Sequence, residues 1–224
     1  MDGKAQKTIM AVGAHTGDAQ LTCGMLLAKH YMQGDKIIIV DLTAGERGAP
    51  EGTNVSDFRV RNVNGAGEFA RMLGGESIVF DVPDGELYPS EEIELKLAQI
   101  MREKRVDSVL CHWKGSLHKD HIAAHTIAKH AAYFAALPTF EHPLPPAPIN
   151  RIIYAENWED SEDFVPYYYF DVTEAFPLWK EAIKKLWLAE NSPSFQYLRY
   201  YEALSVARGA LIGKAHATAY GILE

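Results

Sequence analysis

Short apolar runs alternate with stretches of helical period through the first part of the chain. The apolar runs, which favour β-branched residues, lie at 8–12, 36–43, 77–82 and 107–112. A run such as 36–43, apolar nearly throughout, is typical of a strand buried on both faces of a parallel sheet. Helical stretches follow at 19–33, 56–73, 90–105 and 121–136. This alternation predicts an α/β fold, a Rossmann-like three-layer sandwich with a mainly parallel sheet and helices on both faces.

The composition changes after the helix predicted at 121–136. Five prolines make 137–149 an extended segment, which could be a surface loop or a contact surface in a homo-oligomer. Further strands are predicted near 151–156 and 167–172, and further helices near 175–190 and 196–214. Because no internal repeat is present, we expect one domain over residues 1–224.

Composition and charge argue against several classes of function. Hydrophobic residues make up 47% of the 224 residues, which is enough for a sizeable core and argues against disorder. The formal net charge of −8 argues against nucleic acid as a main partner, because phosphate binding requires a basic face. No apolar run approaches the roughly 20 residues of a membrane span.

The chain start and the cysteines indicate a cellular compartment. The first residues are Met-Asp-Gly-Lys, and no secretory apolar region follows them. Cys23 and Cys111 both lie in apolar settings, which favours buried, reduced thiols. Reduced thiols are typical of the cytoplasm, so we expect a cytoplasmic protein.

Polar residues cluster in the loops that follow the predicted strands. Right-handed crossovers place every strand-to-helix loop at the same edge of a parallel sheet, where ligands bind in open α/β folds. The loops at 13–18, 43–52, 83–88 and 112–121 should therefore converge. The first loop carries His15 and Asp18, whose spacing lets both side chains reach one metal ion. On its own, Asp18 is more often a helix cap than a ligand.

A second polar group, His-Lys-Asp-His at 118–121, follows the fourth predicted strand. If this segment opens a helix, its two histidines lie on one face. Zinc catalytic sites commonly have three protein ligands and an open water position. His15, Asp18 and one of these histidines would supply that number if the first and fourth strands are neighbours. We expect zinc, although another divalent metal would also fit. Alternatively, the two histidines are polar residues of the surface or the core and bind no metal.

Four segments carry motifs in a fixed order along the chain. They are Gly13–Ala28, which begins Gly-Ala-His-Thr-Gly-Asp, Leu42–Gly48 (Leu-Thr-Ala-Gly-Glu-Arg-Gly), Val82–Leu87 (Val-Pro-Asp-Gly-Glu-Leu) and His118–His121. They resemble the Ala-His-Pro-Asp-Asp-Ala-Glu, Leu-Thr-x-Gly-Glu-x-Gly, Pro-Asp-Gly and His-Pro-Asp-His motifs of the LmbE-like, or PIG-L, N-deacetylases. On this resemblance, which covers about residues 8–130, the chain is identified as a member of that family.

The resemblance implies a zinc ion held by His15, Asp18 and His121. It also implies that His118, as imidazolium, stabilises the oxyanion or protonates the amine, and that Asp120 orients a histidine. In such enzymes the metal acidifies a bound water and polarises the amide carbonyl.

Other loop residues near this site are candidates for substrate binding. Glu46 and Arg47 in the second loop, and Asp84 in the third, would reach a substrate if the loops converge. Glu46 and Arg47 could equally be solvated charges, and Asp84, which precedes a glycine, could simply form a turn.

We expect residues 8–136 to form the metal-site core and 137–224 to supply the substrate-side and C-terminal elements.

The first motif departs from the family pattern where a general base is expected. In the family, the first of two adjacent aspartates takes a proton from the water. That position is Gly17 here, the usual proline is Thr16, and the later glutamate is Gln20. Loss of a general base typically costs about 10²–10⁴-fold in rate. The resemblance therefore supports the metal site better than it supports the reaction.

Three explanations of Gly17 stay open. Another carboxylate, Glu46, Asp84 or Asp120, could replace the base. The chain could be a weak or inactive zinc-binding relative that binds a sugar-type ligand. In the third explanation, zinc hydroxide and His118 suffice to hydrolyse another amide or an ester, and no carboxylate base is needed. Our leading expectation is a zinc-dependent hydrolase that removes an N-acetyl, or other N-acyl, group from a small-molecule amino-sugar conjugate.

Overall fold

The computed structural model describes residues 5–139 and 143–222. The strands are β1 Thr8–His15, β2 Lys36–Thr43, β3 Glu76–Val82, β4 Ser108–His112, β5 Arg151–Ala155, β6 Tyr168–Asp171 and β7 Ala217–Gly221. The helices are α1 Asp18–Thr22, α2 Gly24–Met32, α3 Val55–Met72, α4 Glu91–Lys104, α5 Lys119–Ala136, α6 Phe176–Ile183, α7 Trp187–Asn191 and α8 Tyr197–Leu211, with a short 3-10 helix at Glu46–Gly48. Residues 140–142 of the predicted extended segment lie outside the described residues. Within the two described ranges, no helix has the length and apolar composition that crossing a membrane requires.

The seven strands of the described ranges form one sheet in the order β3-β2-β1-β4-β5-β7-β6. The first five strands are parallel, and β1 pairs with β2 on one side and with β4 on the other. The chain order reverses beside β1, and the carboxyl ends of strands at such a switch point are where α/β folds bind ligands. Strands β1 and β4 are therefore neighbours, as the predicted metal site requires.

Helices cover both faces of the sheet, and each face has its own apolar core. Along β1, Ile9 and Ala11 pack on one face, and Met10 and Val12 pack on the other. Helices α1, α2, α3, α6 and α8 cover the first face, and α4 and α5 cover the second. The predicted α/β three-layer architecture is confirmed, with a sheet that becomes antiparallel at one edge.

The helix predicted at 19–33 is instead two helices that meet at Cys23. In a continuous helix the carbonyl oxygen of Gln20 would accept a hydrogen bond from the amide four residues later. Here the indole Nε1 of Trp179 donates to that oxygen, at 2.9 Å. A Cβ added at Gly24 would lie 2.6 Å from Cδ1 of the same ring. A contact between residues 159 positions apart therefore breaks the helix.

The helix predicted at 175–190 is also two helices, α6 and α7. The turn between them brings the carbonyl oxygen of Lys185 against α3, where a Cβ added at Gly65 would lie 2.6 Å away. This close approach explains a glycine inside α3, where glycine otherwise weakens a helix.

Strand β7 has no counterpart among the predicted elements. It lies between β5 and β6 and is antiparallel to both. Its sequence, Ala-Thr-Ala-Tyr-Gly, has weak strand propensity, so its neighbours rather than its own residues determine the conformation. The buried ring of Tyr220 connects this strand to α1, because its hydroxyl donates to the carbonyl oxygen of Thr22 at 3.3 Å.

Both cysteines are buried and free, as the sequence predicted. Burial raises the pKa of Cys23 to about 12 and raises the pKa of Cys111 well above its usual value. Neither sulfur is a thiolate at neutral pH, so neither offers a nucleophile.

Candidate metal centre

Three side chains meet at the carboxyl ends of β1 and β4. His15 ends β1, Asp18 opens α1, and His121 lies in the first turn of α5. Asp18 Oδ2 lies 3.1 Å from His15 Nδ1 and 3.4 Å from His121 Nε2. Ligand atoms at about 2.0–2.1 Å from a tetrahedral zinc lie about 3.3 Å from one another. The two imidazoles and the carboxylate therefore have donor types and spacings that fit zinc.

Opposite charges stabilise this triad. Burial opposes ionisation of Asp18, but His121 and His15 outweigh it and hold the pKa of the carboxyl well below its usual range. Burial also opposes the imidazolium of His121, yet Asp18 and Asp160 raise its pKa to about 10. The pKa of His15 is likewise raised against burial, mainly by Asp18. A divalent cation bound here would displace these protons, because metal ligands must be deprotonated.

Asp160 determines which nitrogen of His121 is free. Its Oδ1 lies 2.8 Å from His121 Nδ1, and its side chain is fully buried. A proton on Nδ1 donates to this carboxylate, so Nε2 is the nitrogen whose lone pair becomes available to a metal when the ring gives up its second proton. A carboxylate that orients a histidine in this way is the usual outer partner of a metal-binding imidazole.

His112 shares the same carboxylate but does not offer a metal ligand. Its Nδ1 lies 2.7 Å from Asp160 Oδ2, and its Nε2 accepts a hydrogen bond from the backbone N–H of Ala14 at 3.0 Å. Both nitrogens of His112 are therefore engaged by protein groups. Asp160 thus accepts hydrogen bonds from His112 and His121, and Tyr201 supports the same loop by donating to Asn157 Oδ1 at 2.9 Å.

Sequence reasoning missed Asp160 and its neighbour Glu159, which also lines the site. Both follow β5, outside the four family motifs. The available signal was topological: β5 is parallel to β4, so the loop after β5 ends at the same edge as the loops that were considered.

The second ring nitrogen of His15 faces two carboxylates. His15 Nε2 lies 3.1 Å from Asp84 Oδ1 and 3.4 Å from Asp120 Oδ2. Burial raises the pKa of both carboxyls, but His15 outweighs it, so both pKa values are lowered. Asp120 is buried, and its Oδ2 accepts from the backbone N–H of Gly85 at 2.8 Å. These contacts leave Nδ1 of His15 directed at Asp18.

His118 is the N-cap of α5, and its Nδ1 accepts from the backbone N–H of Asp120 at 3.2 Å. The proton of the neutral ring is therefore on Nε2, which is a donor. Burial and then the neighbouring His15 and His121 lower the pKa of His118. The expected imidazolium is thus disfavoured, and a neutral ring that donates from Nε2 is the form that fits these contacts.

The three residues predicted to bind substrate divide into two groups. Arg47 and Asp84 line the cavity above the triad. Glu46 does not line it: its Oε1 accepts from the backbone N–H of Asp84 at 2.9 Å, and its Oε2 pairs with Arg59 at 3.3 Å. The carboxylate of Glu46 therefore joins two loops. The predicted contact between Glu46 and substrate is not what this arrangement favours.

The cavity over the triad has a volume of about 470 Å³ and two unlike walls. One wall is apolar and includes Phe58, Trp187 and Tyr197, with the Phe58 and Trp187 rings edge to face at 5.1 Å. The other wall carries the triad and further carboxylates. Among the described residues that line it, Arg47 is the only lysine or arginine, and it pairs with Glu86. The cavity therefore has little positive charge of its own.

Gly17 adopts a backbone conformation that other residues rarely adopt, with φ of 117°. A Cβ added there would lie 2.4 Å from Cδ2 of Leu188 in α7. Its backbone N–H donates to Gln20 Oε1 at 2.8 Å, and Gln20 Nε2 donates to Asp41 Oδ2 at 2.8 Å. Burial raises the pKa of Asp41 well above its usual value. A glutamate at position 20 would place a second carboxylate against this buried group.

We expect Gly17→Ala to destabilise the protein. The strained backbone costs about 1–3 kcal/mol, and the contact with Leu188 adds to that cost. Leu188→Ala should remove the steric part, so the double variant should lose less stability than the sum of the two single variants. Urea unfolding would measure the changes.

Gly48→Ala is the control for this series, because its added Cβ meets nothing within 4 Å and its φ is ordinary. Its free energy of unfolding should change by less than about 1 kcal/mol. Additive losses in the Gly17→Ala, Leu188→Ala double variant would contradict the steric contact.

The sequence matches the PIG-L family model, described as GlcNAc-PI de-N-acetylase, over residues 10–132. It is 28% identical over 165 residues to 1D-myo-inositol 2-acetamido-2-deoxy-alpha-D-glucopyranoside deacetylase 1 of Catenulispora acidiphila, with 61% of this chain and 51% of that protein covered. It is also 28% identical over 141 residues to the 4-oxalmesaconate hydratase of Pseudomonas putida, with 59% and 52% covered. The chain thus spans about half the length of these curated relatives.

Solved structures share the whole fold. A conserved protein of Thermus thermophilus has a TM-score of 0.80 and 26% identity, with 96% of this chain and 94% of that chain covered. The N,N'-diacetylchitobiose deacetylase of Pyrococcus horikoshii has a TM-score of 0.82 and 22% identity, with 97% and 84% covered. GalB, the 4-carboxy-2-hydroxymuconate hydratase of Pseudomonas putida, has a TM-score of 0.87 and 19% identity, with 98% and 99% covered. At these last two identities the likeness concerns the fold alone.

The matched range contains all four segments that resemble the family motifs. It covers more than half of the 224 residues and includes the triad and His118. Two of the proteins reported above are named as deacetylases and two as hydratases. The chain belongs to the PIG-L family of GlcNAc-PI de-N-acetylases.

Proposed function

We propose that this protein is a zinc-dependent hydrolase that removes an N-acetyl, or other N-acyl, group from an amino-sugar conjugate. The observation that carries the proposal is the triad of His15, Asp18 and His121, whose ligand atoms face one another at the floor of a cavity. Their nitrogen and oxygen donors suit zinc, and other divalent metals accept the same donors. When bound, the metal would polarise the amide carbonyl and acidify a water molecule.

His118 would stabilise the negative charge that develops on the carbonyl oxygen. Its Nδ1 is held by the backbone N–H of Asp120, so its Nε2–H is free to donate. A fixed donor directed at an oxyanion is typically worth about 10²–10³-fold in rate. Because the ring can donate while it is neutral, this role does not require the imidazolium that the family resemblance suggested.

The cavity walls favour a substrate that is neutral and has an apolar ring face. An anionic substrate would meet Asp84 and Glu159, and the guanidinium of Arg47 already pairs with Glu86. Sugar rings commonly stack on aromatic side chains, which Trp187 and Tyr197 supply here. The deacetylase relatives act on amino sugars, as their names state.

Two observations favour other candidates, one the missing base at Gly17 and the other the names of two relatives. The first is a zinc-binding relative that binds a sugar-type ligand without hydrolysing it, since the family base is missing at this position. The second is a hydratase, because a hydratase is among the relatives by sequence and another by fold. Hydration of a carbon–carbon double bond does not require amide cleavage. The acidic cavity makes a polycarboxylate substrate the weaker candidate.

We expect the purified protein to release acetate from N-acetylglucosamine conjugates and to lose this activity on chelation. Zinc returned to the chelated protein should restore the rate, because the metal supplies the electrophile. Acetate release would be measured directly, and hydration of an unsaturated dicarboxylate would be followed by the loss of its ultraviolet absorbance. Turnover of the dicarboxylate alone would support the hydratase. Zinc binding with no turnover of either substrate would support the non-catalytic relative.

A further inference from the structure

The loop after β5 brings a carboxylate to the triad from a direction that the family motifs do not cover. Glu159 lies four residues beyond the end of β5 and lines the cavity. Its Oε2 is 3.9 Å from His121 Nε2, the nitrogen that faces Asp18. This separation is too long for a direct hydrogen bond and leaves the carboxylate beside the ligand atoms without joining them.

The backbone of Glu159 is held on both sides. Its N–H donates to Asn157 Oδ1 at 3.3 Å, and its carbonyl oxygen accepts from the backbone N–H of Leu117 at 2.9 Å. The next residue is Asp160, which is fixed between two histidines. The loop therefore holds the backbone of Glu159 beside the triad without using its carboxylate.

Each of the other carboxylates named as a possible base has at least one oxygen engaged by the protein. Asp84 and Asp120 lie against Nε2 of His15, on the far side of that ring from Asp18. Glu46 joins two loops. Within the described ranges, no hydrogen bond to the carboxylate of Glu159 is found, and 22% of its side chain is exposed. Glu159 is thus the carboxylate that is near the triad and free to accept a proton.

Both the backbone and the packing disfavour a base at position 17. The left-handed backbone of Gly17 is strained for any side chain, and Leu188 occupies the place where a Cβ would stand. A carboxylate that replaces the base must therefore come from another element.

We propose that Glu159 is the general base of this enzyme and replaces the carboxylate that the family places at position 17. The proposal rests on the amide hydrolysis proposed above. The carboxylate accepts one proton from the attacking water, whose oxygen forms a bond to the carbonyl carbon. The carbon–nitrogen bond then breaks, and the same proton passes to the leaving nitrogen. One amide and one water give one amine and one carboxylic acid.

Glu159→Gln tests this assignment in the zinc-loaded protein of 224 residues. We expect kcat for acetate release to fall by about 10²–10⁴-fold, which is the usual contribution of a general base. KM should stay within about threefold, because glutamine has the same shape and the base acts only in the chemical step. Zinc stoichiometry and zinc affinity, measured by competition with a chromophoric chelator, should not change. Glu162→Gln, on the exposed part of the same loop, is the matched control and should keep wild-type kcat and zinc affinity.

Each alternative has a distinct result. A Glu159→Gln enzyme with kcat within threefold of wild type would overturn the assignment and leave the proposed hydrolase intact. A tenfold loss of zinc affinity, with turnover restored by excess zinc, would make Glu159 a metal ligand instead. A wild-type protein that binds zinc but cleaves no N-acyl amino sugar would overturn the proposed function, and the assignment of a base with it.

Discussion

Replacing Asp18 with asparagine is expected to remove the metal and to abolish turnover. One oxygen of Asp18 lies within 3.4 Å of both candidate histidine ligands and also accepts from the backbone N–H of His15 at 2.8 Å. Asparagine has nearly the same size but no charge, so it would leave two imidazoles without their shared anion. Loss of an outer partner typically costs about 10–100-fold in metal affinity, and loss of a direct ligand should cost more.

The measurement is zinc content per chain after dialysis against micromolar zinc, together with acetate release. Asp57→Asn is the control, because Asp57 is exposed in the first turn of α3 and does not line the cavity over the triad. Full zinc content in the Asp18→Asn protein would show that another group of residues holds the metal.

The second large effect is expected for Asp160→Asn. Both Asp160 oxygens accept from histidine Nδ1 atoms, at 2.7 Å and 2.8 Å, inside the protein. An asparagine offers one oxygen and an NH₂ group, so one histidine must move its proton to Nε2 or lose its partner. If that histidine is His121, its Nε2 no longer presents a lone pair to the metal. We expect zinc affinity to fall by about 10–100-fold.

Stability should fall as well, because a buried polar group without a partner costs about 1–3 kcal/mol. Chelator competition would measure zinc affinity, and urea unfolding of the metal-free protein would measure stability. Asp163→Asn is the matched control: it lies on the same loop, is exposed, and has a left-handed backbone that asparagine tolerates. An Asp160→Asn protein with unchanged affinity would mean that Asp160 does not orient His121.

The fold and the triad could be predicted because their signals are local or topological. The apolar run at 36–43 identifies a buried parallel strand, and the crossover rule then places the loops of His15 and His121 together. What could not be predicted depends on distant contacts. The break at Cys23 follows from a bond donated by Trp179, and β7 takes its conformation from its neighbours.

Two residues that lie at the candidate site were missed for a related reason. Asp160 and Glu159 stand in a loop whose sequence matches no motif, and their importance comes only from the atoms they face. Conversely, Glu46 lies in a clear motif, yet its carboxylate joins two loops. A motif identifies a residue that belongs near a site, whereas the direction of its side chain depends on packing that no local pattern encodes.

The contact between Gly17 and Leu188 also couples substitutions at two positions. An aspartate introduced at position 17 meets both a strained backbone and the side chain of Leu188, so it should destabilise the protein. A smaller residue at position 188 would remove the steric part of this cost and leave the backbone part. The effect of an aspartate at position 17 should therefore depend on the residue at position 188, which makes the two positions epistatic.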